Sequence, residues 1–241
     1  MYKGGKMIDI HSHTIFAVDD GAPALAMSIE MLQAAYCVGI STIIATPHFS
    51  EELYESKMLV NNFEVTATTA KENRINLIKG YEVKIDPMLP RMIENGLKVS
   101  LNQSPFILIE MPLYSVPLYA YKTLYQLFMM NMIPIIAHPE RNRNFIKNQP
   151  LFNNFCDLGC LMQVNAASIM GFHGIAAKAF AKKIIRSNQA HFIASDAHNS
   201  KEYSDWYSPA YKKVKKWVGD EYTEKLFNSN ALEILKSKGS L

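Results

Sequence analysis

The sequence has few cysteines, and their arrangement excludes two classes of protein. Only three occur in 241 residues, at Cys37, Cys156 and Cys160. An odd and sparse set provides no disulfide framework and fits a reducing compartment. None of the three is followed six positions later by an arginine, so the phosphate loop of the thiol-based tyrosine phosphatases is absent.

Long hydrophobic runs are missing as well. The region richest in apolar residues, 106–137, is interrupted by Glu110, Lys122 and three prolines, and it predicts a strand, a helix and a strand rather than a membrane span. The start of the chain shows no basic stretch followed by an apolar one. We therefore expect a cytoplasmic protein without stable membrane insertion.

Motifs and charge exclude further classes of ligand. Neither the dinucleotide-binding G-x-G-x-x-G nor the P-loop G-x-x-x-x-G-K-[ST] is present. The net charge is only +3, and its densest basic patch comprises Lys212, Lys213, Lys215 and Lys216. We interpret this patch as a solvated helix face, so no nucleic-acid partner is expected.

Strand and helix patterns alternate along the chain. Apolar runs predict seven strands at 7–13, 41–46, within 75–85, and at 106–110, 134–138, 161–165 and 191–195. Helices are predicted at 24–38, 58–73, 87–95, 119–130, 150–158 and 174–187, and from 205 onward, with polar loops at 51–57 and 139–148. The strands are apolar on both faces, as in a covered parallel sheet. The pattern predicts an α/β protein of one domain, residues 1–241, with a (β/α) barrel of seven units. A doubly wound open sheet is the alternative.

Metal-binding residue types recur where the predicted strands end. His11 and His13 close the first strand, and residues two apart on a strand face the same way. The carboxyl ends of parallel strands surround one mouth of a barrel. We therefore predict that one site collects His11, His13, Asp20, His48, Glu82, Glu110, His138, Asp196 and His198.

Five imidazoles and four carboxylates exceed the needs of one ion, so a cluster of two or three is predicted. Nitrogen and oxygen ligands without thiolate suit Mn²⁺, Fe²⁺ or Zn²⁺, and ions about 3.5–4 Å apart suit in-line attack on phosphorus. Arg141 and Arg143 follow His138 and are predicted to bind phosphate, since a guanidinium matches phosphate oxygens. His173 and His191 are interpreted as structural residues.

The motifs together resemble a known family. H-x-H, D-D-G, T-P-H, G-x-E, I-E, A-H-P-E-R and S-D-A-H occur in the order and spacing of the polymerase-and-histidinol-phosphatase (PHP) superfamily. Within it, residues 7–235 resemble the bacterial manganese-dependent tyrosine-protein phosphatases of capsule and exopolysaccharide operons. The resemblance implies a distorted (β/α)7 barrel holding three Mn²⁺ ions. It implies one ion on His11, His13, Glu82 and Asp196, a second on Glu82, Glu110 and His138, and a third on Asp20, His48 and His198.

The resemblance also implies a substrate and catalytic roles. The expected substrate is phosphotyrosine in the C-terminal tyrosine cluster of a bacterial tyrosine kinase that regulates polysaccharide synthesis. Arg141 is expected on the phosphate. Independently of the resemblance, we expect a metal ion or a nearby acid, Asp20 or His198, to assist the leaving phenolate. Close relatives carry a further arginine after S-D-x-H, whereas here the segment 199–208 offers only the cation Lys201, which lacks the planar fork.

Two alternatives remain open from the sequence. A small-molecule phosphoesterase, such as a histidinol-phosphate phosphatase, would use the same chemistry. A non-catalytic domain would have lost ligands, which this sequence keeps. Four aromatic residues near predicted strand ends could border a phenyl ring and favour phosphotyrosine, namely Phe49, Tyr54, Tyr81 and Tyr114. No oligomeric state is predicted.

Overall fold

The structure is a computed structural model that describes residues 7–237. The two ends of the predicted 1–241 domain lie outside the described residues, and the single domain stays a prediction. Within residues 7–237 the chain forms eight short strands: β1 (Met7–Ser12), β2 (Ile40–Ala45), β3 (Asn76–Lys79), β4 (Glu82–Lys84), β5 (Phe106–Glu110), β6 (Ile133–Ala137), β7 (Leu161–Asn165) and β8 (Phe192–Ala194).

The strands form a parallel barrel in chain order. β1, β2 and β3 make one sheet, and β4 to β8 make a second, with every strand pair parallel. Single parallel bridges, Ser12 with Ala197 and His48 with Glu82, join the two sheets on both sides. The predicted distorted α/β barrel is confirmed, and the open doubly wound sheet is wrong.

The distortion lies in the third predicted strand, which is two strands instead of one. β3 pairs with β2, whereas β4 pairs with β5, and the chain changes sheet at Gly80 and Tyr81. A Cβ atom on Gly80 would lie 2.7 Å from Leu101 Cδ2 and 3.0 Å from Ile44 Cγ2. Only glycine therefore fits this crossing without displacing its neighbours.

Helices surround the barrel and connect successive strands. They are α1 (Leu25–Cys37), α2 (Glu51–Glu55), α3 (Lys57–Glu72), α4 (Leu89–Glu94), α5 (Ala120–Met129), α6 (Arg143–Lys147), α7 (Gln149–Asp157), α8 (Ala166–Met170), α9 (Ile175–Arg186), α10 (Ser208–Glu224) and α11 (Asn230–Lys236). None of those between residues 7 and 237 combines the length and apolar character needed to cross a bilayer.

Both segments predicted as polar loops are partly helical, so those predictions are wrong. In 51–57, Ser50 accepts a hydrogen bond from Leu53 N, and Ser56 accepts one from Leu59 N, so each serine caps a helix. In 139–148, a 3₁₀ turn leads into α6, which Asn142 caps. Side-chain caps satisfy the free N–H groups of a first turn and can start a helix without an apolar repeat.

Candidate metal centre

The nine side chains predicted to bind metal lie together at the carboxyl ends of the strands, with Glu82 in the middle. Its Oε2 atom lies 3.4 Å from His11 Nε2, 3.6 Å from His13 Nε2 and 3.0 Å from His48 Nδ1. Its Oε1 atom lies 3.0 Å from His138 Nε2. Because β4 begins at Glu82, the break in the third strand delivers this carboxylate to four imidazoles.

The tightest group of ligand atoms is the one that the resemblance implies for the first ion. His11 Nε2 and His13 Nε2 lie 3.3 Å apart, and Asp196 Oδ1 lies 3.2 Å and 3.4 Å from them. Two atoms bound to one ion at about 2.1 Å are about 3.0–3.5 Å apart, depending on the angle. These spacings, together with Glu82, match a single coordination shell.

The ligand atoms of the other two predicted groups also lie close together, and each group includes one residue that was not predicted for it. His138 Nε2 lies 3.9 Å from Glu110 Oε1, and His48 joins Glu82 and Glu110 within 4.8 Å. Asp20 Oδ1 lies 3.5 Å from His48 Nε2 and 3.4 Å from His198 Nε2, with His13 also within 4.8 Å. The Asp20 side chain is 66% exposed, so this third group faces solvent.

The imidazole orientations fit metal ligation. His11 Nδ1 donates to Gln163 Oε1 at 2.9 Å, and His13 Nδ1 donates to Asp19 Oδ2 at 2.6 Å. His198 Nδ1 donates at 2.8 Å to the backbone carbonyl two residues earlier. With the proton held on Nδ1, the Nε2 lone pair of each ring points into the cluster, as in metal-binding histidines.

The charges of the cluster favour a cation. Burial opposes a proton on His11, but Glu82 and Asp196 raise its pKa to about 9. Burial likewise opposes ionisation of Glu82, yet the histidines hold its pKa well below its usual range. His48 Nδ1 is buried without a hydrogen bond, although Glu82 Oε2 is 3.0 Å away. An orphaned imidazole nitrogen beside a carboxylate fits a site built for metal.

Two residues of the cluster have left-handed backbone, a region that favours glycine. His138 has φ 32° and Asp196 has φ 53°. Each such residue costs about 1–2 kcal/mol. Asp196 is held in place because its Oδ2 accepts from Asn165 Nδ2 at 2.6 Å and from Arg141 Nη1 at 3.0 Å. Strain of this kind is typical of functional sites.

Sequence reasoning missed the residues that support the cluster. Asp19 bonds His13, but only its neighbour Asp20 was predicted to act. Gln163 Nε2 donates to Asn165 Oδ1 at 2.8 Å. Because Gln163 also bonds His11 and Asn165 bonds Asp196, these two residues link the two ligands. Both are polar residues in an otherwise apolar strand, β7, and that signal could have identified them. Asp19 carried a signal too, since it lies within D-D-G.

The predicted phosphate-binding arginines lie at the rim. Arg141 bonds Asp196, as described, and the guanidinium carbon of Arg143 lies 4.5 Å from the centre of the Tyr114 ring. His191 is outside the cluster, where its Nδ1 accepts from Met162 N at 3.1 Å. His173 lies beside Arg141. Burial and the positive charge of Arg141 both lower the pKa of the His173 imidazole.

Three of the aromatic residues predicted to border a phenyl ring pack on one another instead. The ring centres of Phe49, Tyr54 and Tyr81 are 5.8–6.1 Å apart, and Tyr81 is buried. Tyr114, in contrast, is 67% exposed at the rim. Of the four, Tyr114 is the one whose side chain is largely exposed.

Comparisons with known proteins agree with the motifs and the geometry. A family model for capsular polysaccharide synthesis, CpsB/CapC, matches residues 7–236. The tyrosine-protein phosphatase YwqE of Bacillus subtilis is 37% identical over 219 residues, which cover 89% of this chain and 86% of YwqE. The tyrosine-protein phosphatase CpsB of Streptococcus agalactiae is 28% identical over 96% of this chain and 99% of its own.

Solved structures extend the comparison to the fold. One structure from work on YwqE of Bacillus subtilis and CpsB of Streptococcus pneumoniae, described as metal-dependent tyrosine phosphatases, has a TM-score of 0.88 at 35% identity, covering 96% of this chain and 95% of its own. The resemblance inferred from the motifs is thereby confirmed. The chain belongs to the CpsB/CapC family of capsular polysaccharide synthesis.

Proposed function

We propose that this chain hydrolyses phosphotyrosine in the C-terminal tyrosine cluster of a bacterial tyrosine kinase that controls capsular or exopolysaccharide synthesis. Its enzyme class is that of its family, a metal-dependent tyrosine-protein phosphatase. The observation that carries the proposal is the convergence of five imidazoles and four carboxylates beside an arginine, Arg141. The family's place in capsule synthesis supports a kinase of that system as the substrate.

We propose Mn²⁺ as the metal, with three ions on the three groups of ligands described above; Fe²⁺ and Zn²⁺ suit the same donors. Metal ions in such a site polarise phosphoryl oxygens and lower the pKa of bound water. The residues of the chain supply the orientation, because Gln163 and Asp19 fix the imidazoles and the buried Glu82 bridges the groups.

Arg141 is proposed to bind the phosphoryl group. It lies at the rim next to Asp196, where its remaining N–H donors can meet phosphate oxygens in a planar fork. Asp20 and His198 lie on the solvent side of the cluster and are proposed to assist departure of the phenolate. Burial and the nearby His13 lower the pKa of His198, so its neutral imidazole is suited to ligation rather than to proton donation. A phenol with a pKa near 10 is a better leaving group than an alcohol and needs less assistance.

A metal-reconstitution assay tests this function. The protein is stripped with a chelator, reloaded with Mn²⁺, Fe²⁺ or Zn²⁺, and given phosphotyrosine peptide, phosphoserine peptide or histidinol phosphate. We expect activity to return with metal and to be highest on phosphotyrosine, because a phenolate leaves more readily than the alkoxides of phosphoserine and histidinol phosphate. Higher turnover of histidinol phosphate would contradict the proposed substrate class.

Variants assign the activity to the cluster. His138→Ala and Asp196→Ala remove one ligand each, and we expect turnover to fall by about 100-fold or more. His191→Ala is the matched control, since it removes a histidine outside the cluster. Wild-type turnover by either ligand variant would refute the proposed centre. Fewer than about one ion per reloaded chain would revive the non-catalytic alternative.

A further inference from the structure

A second pocket opens beside the candidate metal centre. It has a volume of about 380 Å³ and shares Arg141 with the rim of the centre. We call it the flanking pocket, and the residues of its wall that matter here are Tyr114, Arg141, Arg143, His173 and Ile175. Its position means that a peptide held by a phosphotyrosine at the centre can place a neighbouring residue there.

The flanking pocket is positively charged. Its described lining contains two guanidinium groups and no carboxylate. Arg141 donates to Asp196, whereas the Arg143 side chain makes no hydrogen bond or ion pair with any residue between 7 and 237. Burial and the charge of Arg141 lower the pKa of His173 to about 4, so its imidazole is neutral at pH 7. The charge of the pocket therefore comes mainly from Arg143, whose side-chain donors have no acceptor among residues 7–237, and in part from the donors of Arg141 that Asp196 does not engage.

The Arg143 side chain is held in position by Tyr114 and by the hydrogen bonds of the adjacent loop. The guanidinium of Arg143 stacks on Tyr114 at 4.5 Å, and its backbone N donates to Leu113 O at 2.8 Å. The buried side chain of Asn142 donates to two backbone carbonyls of the 112–115 loop, at 2.7 and 2.9 Å. Stacking occupies the face of the guanidinium and leaves its in-plane N–H groups free.

The rim of the pocket is apolar. Tyr114 is 67% exposed and Ile175 is 88% exposed. A ligand that matches this surface has an anionic end for the arginines and an apolar or aromatic stem. Such a group pairs with a guanidinium through charge-assisted hydrogen bonds.

We propose that the flanking pocket binds an anionic side chain of the substrate, a carboxylate or a second phosphotyrosine, close in sequence to the phosphotyrosine that is hydrolysed. The inference rests on the proposed function and deepens it, because it assigns the enzyme to peptides with clustered negative charge. Arg143 and Tyr114 are then specificity-determining residues.

Peptide kinetics test the proposal. Peptides with one phosphotyrosine carry alanine, lysine, glutamate or a second, non-hydrolysable phosphotyrosine analogue at the positions within three residues of it. In the wild type we expect kcat/KM for the anionic peptides to exceed that for the alanine peptide by about fivefold, and the lysine peptide to be the poorest. A higher kcat/KM with both glutamate and the phosphotyrosine analogue indicates that the pocket recognises negative charge. A higher kcat/KM with the phosphotyrosine analogue alone indicates that it recognises the phosphoryl group.

The ratio of anionic to alanine peptide is then compared between variants. Arg143→Ala is expected to bring the ratio close to one, Tyr114→Ala to lower it, and Arg143→Lys to retain part of it. Lys147→Ala is the matched control, because it removes a cation from the same helix, α6, outside the pocket. A wild-type ratio near one, or an equal loss in Lys147→Ala, would overturn the proposal.

The two proposals fail differently. If the metal-loaded wild type hydrolyses none of the phosphotyrosine peptides, including the alanine peptide, the proposed function is wrong. The flanking pocket is then tested by calorimetry with the same peptides carrying a phosphonate at the central position, where Arg143→Ala must still reduce the preference for the anionic neighbour.

Discussion

Replacing Gly21 by alanine is a severe test of how the D-D-G loop supports the cluster. A Cβ atom at Gly21 would lie 2.2 Å from His13 O and 2.4 Å from His13 Cβ. These are backbone and near-backbone atoms of a ligand residue, so no flexible side-chain end can move aside. The loop itself must shift away from β1.

The cost follows from the contacts that the shift would break. Gly21 N donates to Asp19 Oδ1 at 3.0 Å, and Ala22 N donates to His13 O at 3.1 Å. Overpacking costs about 1–3 kcal/mol, and each lost hydrogen bond costs about 1 kcal/mol. We expect the free energy of unfolding to fall by about 3–5 kcal/mol, and Tm to fall by about 6–20 °C for a chain of this size.

Urea denaturation of the chelator-stripped protein measures this change without a contribution from metal. The control is Ala24→Ser in the same loop, at the exposed N-cap of α1, where no side chain caps the helix. A serine there should raise the free energy of unfolding by about 0.5–1 kcal/mol. A Gly21→Ala variant whose free energy of unfolding lies within about 0.5 kcal/mol of the wild type would refute the packing argument.

Three further perturbations have defined outcomes. Gln163→Met removes the acceptor of His11 Nδ1 and should weaken Mn²⁺ binding by about 10–100-fold in calorimetry. Gln163→Glu keeps an acceptor and is the control. Equal Mn²⁺ binding by Gln163→Met and the wild type would contradict this role. Arg141→Lys keeps the charge but loses the fork, so kcat/KM on a phosphotyrosine peptide should fall by about tenfold or more, and an unchanged value would argue against phosphate binding. Gly80→Ala should lower the free energy of unfolding by about 1–3 kcal/mol, less than at Gly21, because the methyl group of Leu101 can yield; a larger loss than at Gly21 would contradict that ranking.

The gathering of the nine candidate ligands could be predicted because it depends on few facts. In a parallel barrel, residues at strand ends share one mouth, whatever the loops do. His11 and His13 needed only the two-residue period of a strand, and Glu110 and His138 needed only the end of an apolar run. The structure brings these four residues to Glu82.

Loop conformation set the limit of that reasoning. The two carboxylates of D-D-G are equivalent in sequence, yet Asp19 is nearly buried against His13 while Asp20 is exposed. In this loop, Ala17 N donates to Ala22 O at 2.8 Å, Gly21 packs against His13, and Asp19 is the carboxylate that faces the His13 ring. Such tertiary contacts leave no periodic pattern. The short helices of 51–57 were missed for a related reason, since serine caps rather than apolar spacing begin them.

The left-handed backbone at His138 and Asp196 bears on how this fold can evolve. Glycine at either position would relieve about 1–2 kcal/mol of backbone strain. The ligands thus lower the stability of the barrel that carries them, a trade-off common at active sites. In a gene copy released from selection for catalysis, these ligands would be lost early while folding persisted. An inert barrel of native stability is therefore only a few substitutions away from this enzyme.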